Sequence, residues 1–220
     1  MSAHEFSPDE IDAVYRAIAA RRDMRHFIER AVDADVLARL LAAAHRAPSV
    51  GYMQPWRFIR VVDRGLRSRL RDLVENERQR TAVALGEAGN RFMQLKIDGL
   101  DRCGEVLVVA LTDGRSRHVF GRRTMPEMDL ASAACAIQNM WLAARAEGLG
   151  MGWVSMFEPA DVAALFDMPD GARPIAILCL GHVDAFYDRP MLEAEGWAER
   201  LDLERLVGRD GWPVPDTRET

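Results

Sequence analysis

Arg21-Arg22-Asp23-Met24-Arg25 is the stretch from which the fold can be read. Three guanidinium groups fall within five residues, directly after an amphipathic helix, with one carboxylate among them. Arginine offers five donors in a rigid fork and stays charged at any working pH, so the cluster suits a phosphate monoester. A carboxylate aimed at the same phosphate would be repelled. Asp23 therefore either holds one arginine in place or faces a different part of the ligand. The second possibility is the main functional expectation. The competing reading is a solvated basic helix end, where the macrodipole favours cations.

The whole chain sets limits on that cluster. At 220 residues, 49% hydrophobic and 29% charged, it has the composition of an ordinary globular protein with one full core. The formal net charge of −5 argues against a nucleic-acid partner while leaving room for local basic pockets. No apolar run is long enough to cross a membrane and no leader pattern opens the chain, so a cytoplasmic location is expected. Cys103, Cys135 and Cys179 are far apart and match no zinc spacing. The five histidines show no ligand spacing either, so no metal is expected.

On either side of the cluster the chain divides into clear elements. Residues 1–6 read as a loose tail. Ser7-Pro8-Asp9-Glu10 is a capping box, followed by Ile11, Val14, Tyr15 and Ile18 at helical spacing up to about Arg21. A second helix starts at Asp33, presents Val36, Leu37, Leu40, Leu41 and Ala44, and runs to about His45. Ala47-Pro48-Ser49-Val50-Gly51-Tyr52-Met53-Gln54-Pro55 is an irregular loop, and Trp56 to Val62 a strand. Residues 65–85 are helical, with Leu66, Leu70 and Leu73 as the apolar stripe. Residues 86–104 look polar and mobile. A buried strand covers 106–111, and a basic loop with Arg115, Arg117, Arg122 and Arg123 covers 114–127. Asp129 is expected to cap the longest helix, which runs to about Glu147 and is apolar on most sides. A strand beginning at Trp153, a short helix near 160–166 and a strand near 174–180 follow, and residues 205–220 read as an extended arm. The sum is one α+β domain over 1–220.

Two motifs in this pattern mislead. Gly148-Leu149-Gly150-Met151-Gly152 looks like a dinucleotide fingerprint, but those glycines should follow a strand and open a helix. Here they follow a helix and open a strand, so they read as a C-cap and a close backbone approach, to a flat ligand for instance. Ser155 lacks the GxSxG turn of a hydrolase nucleophile.

Three separated segments together resemble the flavin-dependent nitroreductase superfamily. They are Arg21 to Arg25, Ala47-Pro48-Ser49 with Gln54-Pro55-Trp56, and the alanine-rich helix from Met128 to Gly148 with Gly152-Trp153-Val154-Ser155. Ordinary members usually carry Ser where this chain has Asp23, and Asn where it has Gly51-Tyr52-Met53. Both departures resemble the 5,6-dimethylbenzimidazole synthase branch, which consumes flavin.

The resemblance implies a nitroreductase-like fold, a central mostly antiparallel sheet flanked by helices, in an intertwined homodimer. It implies that reduced FMN, supplied by a flavin reductase, is the substrate and O2 the co-substrate. The ribityl carbon attached to the ring becomes the bridging carbon of the benzimidazole, and a four-carbon sugar phosphate leaves. It places catalytic roles on Asp23 and Ser155. It places flavin contacts on Arg21, Arg22, Asp23, Met24, Arg25, Ser49, Gln54 and Ser155, with Ser49 and Gln54 reaching across the dimer interface. Charge alone suggests that Asp23, among arginines, stays ionised. Residues 86–104, with 114–127, form a candidate lid; Lys96 and His45 read more readily as solvated and structural residues than as ligands. An NAD(P)H-dependent nitroreductase with a retained flavin, and a passive flavin-binding module, stay open as alternatives.

Overall fold

The structure, a computed structural model, describes residues 4–213. Two compact units divide at Phe186 and Tyr187. The first opens with helix α1 (Pro8–Ala20), whose capping box forms as expected: Ser7 Oγ accepts from the Glu10 N–H and the Glu10 carboxylate accepts from the Ser7 N–H. Its apolar stripe stays uncovered. Ile11, Val14, Tyr15 and Ile18 are all exposed, and no residue of α1 is buried within the chain.

Helix α2 (Ala34–His45) is capped by Asp33 and buries Leu37, Leu40 and Ala44. Strand β1 (Trp56–Arg60) stops two residues short of the expected end: Val61 is buried, but Val62 turns out to solvent. Helix α3 (Arg64–Ala84) hides Leu70 and Val74, so Val74 rather than Leu66 or Leu73 completes the buried stripe. The segment 86–104 differs most from expectation. It contains a short helix α4 (Gly89–Phe92) and packs Phe92, Leu95, Ile97, Leu100 and Cys103 inwards. Arg78 ties it down by donating to the Met93 and Leu95 carbonyls at 2.5 and 3.1 Å.

Strand β2 (Glu105–Leu111) is buried along its whole length. Helix α5 (Met128–Ala146) follows, then β3 (Gly150–Val154), α6 (Pro159–Leu165) and β4 (Arg173–Gly181). The four strands form one antiparallel sheet in the order β1-β2-β4-β3. Strand alternation sends Leu107, Val109, Leu111, Ala176, Leu178 and Leu180 towards α2 and α5. The opposite face carries Val106, Val108, Ile177 and Cys179, packed against α6 and the 97–103 stretch. Covering both faces explains why the central strands read as continuous apolar runs. Strand β3 begins at Gly150, earlier than Trp153, because Gly148 at φ +76 closes α5 tightly: the Leu149 N–H reaches back to the Ala144 carbonyl at 2.8 Å.

Asp129 does not cap α5. It lies in the first turn, buried, and its Oδ2 accepts from Arg115 Nε and Arg122 Nη2, each at 2.9 Å. Two of the four arginines of the basic loop are therefore spent inside the fold. The second unit, described from Tyr187 to 213, holds a short helix α7 (Met191–Ala194) and one turn at Leu203–Leu206. The rest of the expected arm, 214–220, and residues 1–3 of the expected tail lie outside the described residues. No described helix is long and apolar enough to cross a membrane.

Asp129→Asn leaves two largely buried guanidinium groups facing a neutral amide. A loss of about 3 kcal/mol is expected in denaturant unfolding; stability within about 0.5 kcal/mol of the parent would mean the ion pairs contribute nothing.

Candidate functional site

Past the end of α1 the chain turns extended at Arg21 and crosses the C-terminal half of α5. Three side chains fix this turn. Arg145 donates to the Ala20 carbonyl at 3.0 Å, Trp141 donates to the Arg22 carbonyl at 3.1 Å, and Arg22 folds back onto the Ala19 and Arg21 carbonyls at 2.8 Å. Arg21 stacks 4.8 Å over the Trp141 ring.

The next residues run along the outer edge of β3. Asp23 forms a parallel bridge with Met151, and the Met24 N–H donates to the Met151 carbonyl at 2.9 Å. Met24 is fully buried, so its side chain anchors the segment rather than meeting a ligand. Two glycines make this docking possible. A Cβ at Gly150 would press on the Met24 side chain, and one at Gly152 would lie 2.3 Å from the Met24 carbonyl oxygen. The close approach signalled by the glycine-rich stretch is thus to the chain's own 23–25 segment.

Here Asp23 and Arg25 meet in a two-pronged ion pair: Nη1 to Oδ1 and Nη2 to Oδ2, both 2.5 Å. The Trp153 peptide closes the arrangement, its N–H donating to Asp23 Oδ1 at 3.0 Å and its carbonyl accepting from Arg25 Nη2 at 3.0 Å. Of the two roles open to Asp23 at the outset, holding an arginine is the one observed. The carboxyl pKa is raised, against the expectation from charge. Although 43% of the side-chain surface is open, desolvation is the largest influence and lifts it. The Arg25 charge, the Trp153 N–H, the Arg25 hydrogen bonds and the Arg21 charge pull the other way.

A carboxylate has about four acceptor positions. Three are filled: two on Oδ1 and one on Oδ2. One position on Oδ2 remains for a ligand. By sequence the segment itself carries three arginines and one acid, a formal sum of two positive charges. Ser155, exposed, is the first residue past β3, two beyond Trp153.

Ser49 and Gln54 lie elsewhere. Ser49 Oγ accepts from the Gln54 N–H at 3.0 Å, and the Val50 N–H donates to Ser132 Oγ at 3.0 Å. Gly51, Tyr52 and Gln54 all have positive φ, and Gly51 packs against the Phe120 carbonyl. This loop therefore sits on the first turns of α5, whereas the Arg21–Arg25 segment sits on its last turns. Trp141 lies nine positions beyond Ser132, about 13.5 Å along the helix. Within one chain the structure does not bring the two groups together. His45 accepts from Trp56 Nε1 at 3.3 Å and Lys96 pairs with Asp101 at 3.7 Å, so both are otherwise engaged. Sequence reasoning missed Trp141, Arg145 and the Trp153 peptide; the aromatic residue among the alanines of α5 was the available signal. Among the described residues no cluster of His, Cys, Asp and Glu could hold a metal.

Comparison with known proteins gives the family. The nitroreductase family profile matches residues 18–182, and the chain belongs to that family. Among curated relatives, the 5,6-dimethylbenzimidazole synthase of Rhodospirillum rubrum is 39% identical over 89% of this chain and 93% of its own length. A protein of the same name from Rhodobacter capsulatus is 37% identical over 90% of this chain and 97% of its own. Among solved structures, iodotyrosine deiodinase bound to FMN and 3-iodo-L-tyrosine superposes with a TM-score of 0.71 at 21% identity, covering 90% of this chain and 98% of that one.

Two outcomes follow from the clamp. Gly152→Ala forces the 23–25 backbone off β3 and should cost about 1–3 kcal/mol in urea unfolding; an unchanged midpoint would show that the contact yields freely. For Asp23, a folded pKa above the unfolded one means the stability contribution is fully present below the unfolded value, near pH 4, and is lost as pH rises through the folded value. Native stability should therefore decline relative to Asp23→Asn across that acidic window, measured by denaturant unfolding at stepped pH.

Proposed function

We propose that the chain is a 5,6-dimethylbenzimidazole synthase, fragmenting reduced FMN with O2 to the benzimidazole and a four-carbon sugar phosphate. The observation that carries this reading is the Asp23 carboxylate: locked by Arg25 and the Trp153 N–H, yet left with one acceptor position on an open face. Relatives of that name at 37–39% identity over most of the chain support it.

Bound as substrate, reduced FMN supplies the ring and the ring-attached carbon, and O2 supplies the oxidising power. The chain's own residues do the rest. Arg21, stacked on the Trp141 ring, and Arg22 balance the phosphate. Asp23 Oδ2 addresses the ribityl chain, orienting a hydroxyl or taking a proton from the ring-attached carbon, a general-base contribution of about 10²–10⁴-fold. Arg25 acts as the strut that prevents the carboxylate from swinging to the phosphate. Ser155, with one donor and two acceptor positions, positions a ring nitrogen.

The reading includes a homodimer in which each site draws Arg21–Arg25 and Ser155 from one chain and Ser49 and Gln54 from the other. Two observations support it: the separation of these groups along α5, and the uncovered apolar stripe of α1. A flavin reductase completes the supply of substrate.

Pure protein given chemically reduced FMN under air should yield 5,6-dimethylbenzimidazole, detected by mass. Recovery of intact FMN would end the proposal and favour a retained flavin. Asp23→Asn and Ser155→Gly should keep FMN binding but lose product at least 100-fold, about the lower limit for a general base. Co-expressed Asp23→Asn and Gln54→Ala chains should regain about a quarter of native turnover, since half the dimers are mixed and each carries one intact site. No recovery from two inactive parents would place Gln54 in the same chain's site.

A further inference from the structure

We infer that a second anion site lies away from the Asp23 clamp, in the concavity where the N-terminal half of α3 faces the start of β2, and that it takes the phosphate of a small organic ester. The concavity measures about 480 Å³, within the range of small-molecule sites. Arg64, Arg67 and Arg71 line it from α3, Arg30 from the stretch before α2, and Arg102 from the stretch before β2.

This is a gathering of three chain segments rather than one basic helix face. A Cβ on Gly104 would lie 2.6 Å from the Arg30 carbonyl oxygen, so the glycine is what allows the 30–32 stretch to come alongside Arg102. Arg67 is fixed at the floor, donating to the Cys103 and Val61 carbonyls at 3.0 and 3.5 Å. Carbonyl acceptors orient a guanidinium without cancelling its charge.

The positive charge is not neutralised locally. Two acids, Glu29 and Asp101, also line the concavity, and Asp101 is drawn off by Lys96. Among the described residues, Arg30, Arg64, Arg71 and Arg102 pair with no carboxylate. Five arginines against one unclaimed acid, on a chain of net charge −5, form a local field of the opposite sign to the molecule. Converging guanidinium forks match the tetrahedral, multiply charged oxygens of phosphate better than a single carboxylate. The exposed Val62 at the rim offers contact to an apolar body attached to that phosphate.

Inorganic pyrophosphate titrated calorimetrically into the whole chain is the probe. Binding should weaken roughly tenfold or more in Arg64→Glu/Arg71→Glu and should decline with added salt. Arg21→Ala, which alters the other anion segment, should keep this binding. Pyrophosphate affinity unchanged in the double variant, or lost in Arg21→Ala alone, would overturn the inference. If the charge-reversed protein does not fold, Arg64→Gln/Arg71→Gln is read instead, with a loss of about fivefold expected and native affinity again fatal.

Discussion

A single edge contact holds the candidate site: the 23–25 segment laid along β3 and locked by the Asp23–Arg25 pair on the Trp153 peptide. β3 is the terminal strand of the sheet, and an uncovered edge presents unpaired backbone groups. The Met24–Met151 hydrogen bond satisfies part of that edge, and the fully buried Met24 side chain fills the space beneath. The same contact that finishes the sheet also sets the direction of the carboxylate. Structure and chemistry share residues here, so the glycines at 150 and 152 are needed by both.

The pair is a compromise between two electrostatic demands. A carboxylate brought out of water resists ionisation, and Arg25 offsets that resistance without removing it. Had Asp23 been fully satisfied by the protein, it could accept nothing from a ligand. Had it been unpaired, it would be free to swing towards Arg21 and Arg22. The remaining position on Oδ2 lies between these limits.

What could be read in the sequence was local. The Ser7–Glu10 box, the Asp33 cap and the glycine stop after α5 each depend on residues within one helical turn, and each forms where expected. The nitroreductase resemblance was legible for another reason: three short segments recur together along the chain. Long-range facts were hidden. An acid in the first turn of a helix looks like a cap whether or not distant arginines claim it, as Arg115 and Arg122 claim Asp129. Phe92, Leu95, Ile97 and Leu100 follow neither the helical nor the strand period, so their burial left no pattern among the polar residues around them. The α1 stripe reads as a core-facing pattern, yet its residues stay exposed within the chain. For Asp23, the sequence shows the neighbouring charges and says nothing of desolvation.

The clamp also dictates when the site can exist. All its arginines are made within the first 25 residues, yet Arg25 bonds to Trp153 across a separation of 128 positions. Closing so long a loop is entropically costly and slow, so the segment can settle only after β3 has joined β4. During synthesis the chain therefore carries this arginine-rich stretch undocked until the sheet's last strand has emerged. Docking of the segment is thereby tied to completion of the sheet.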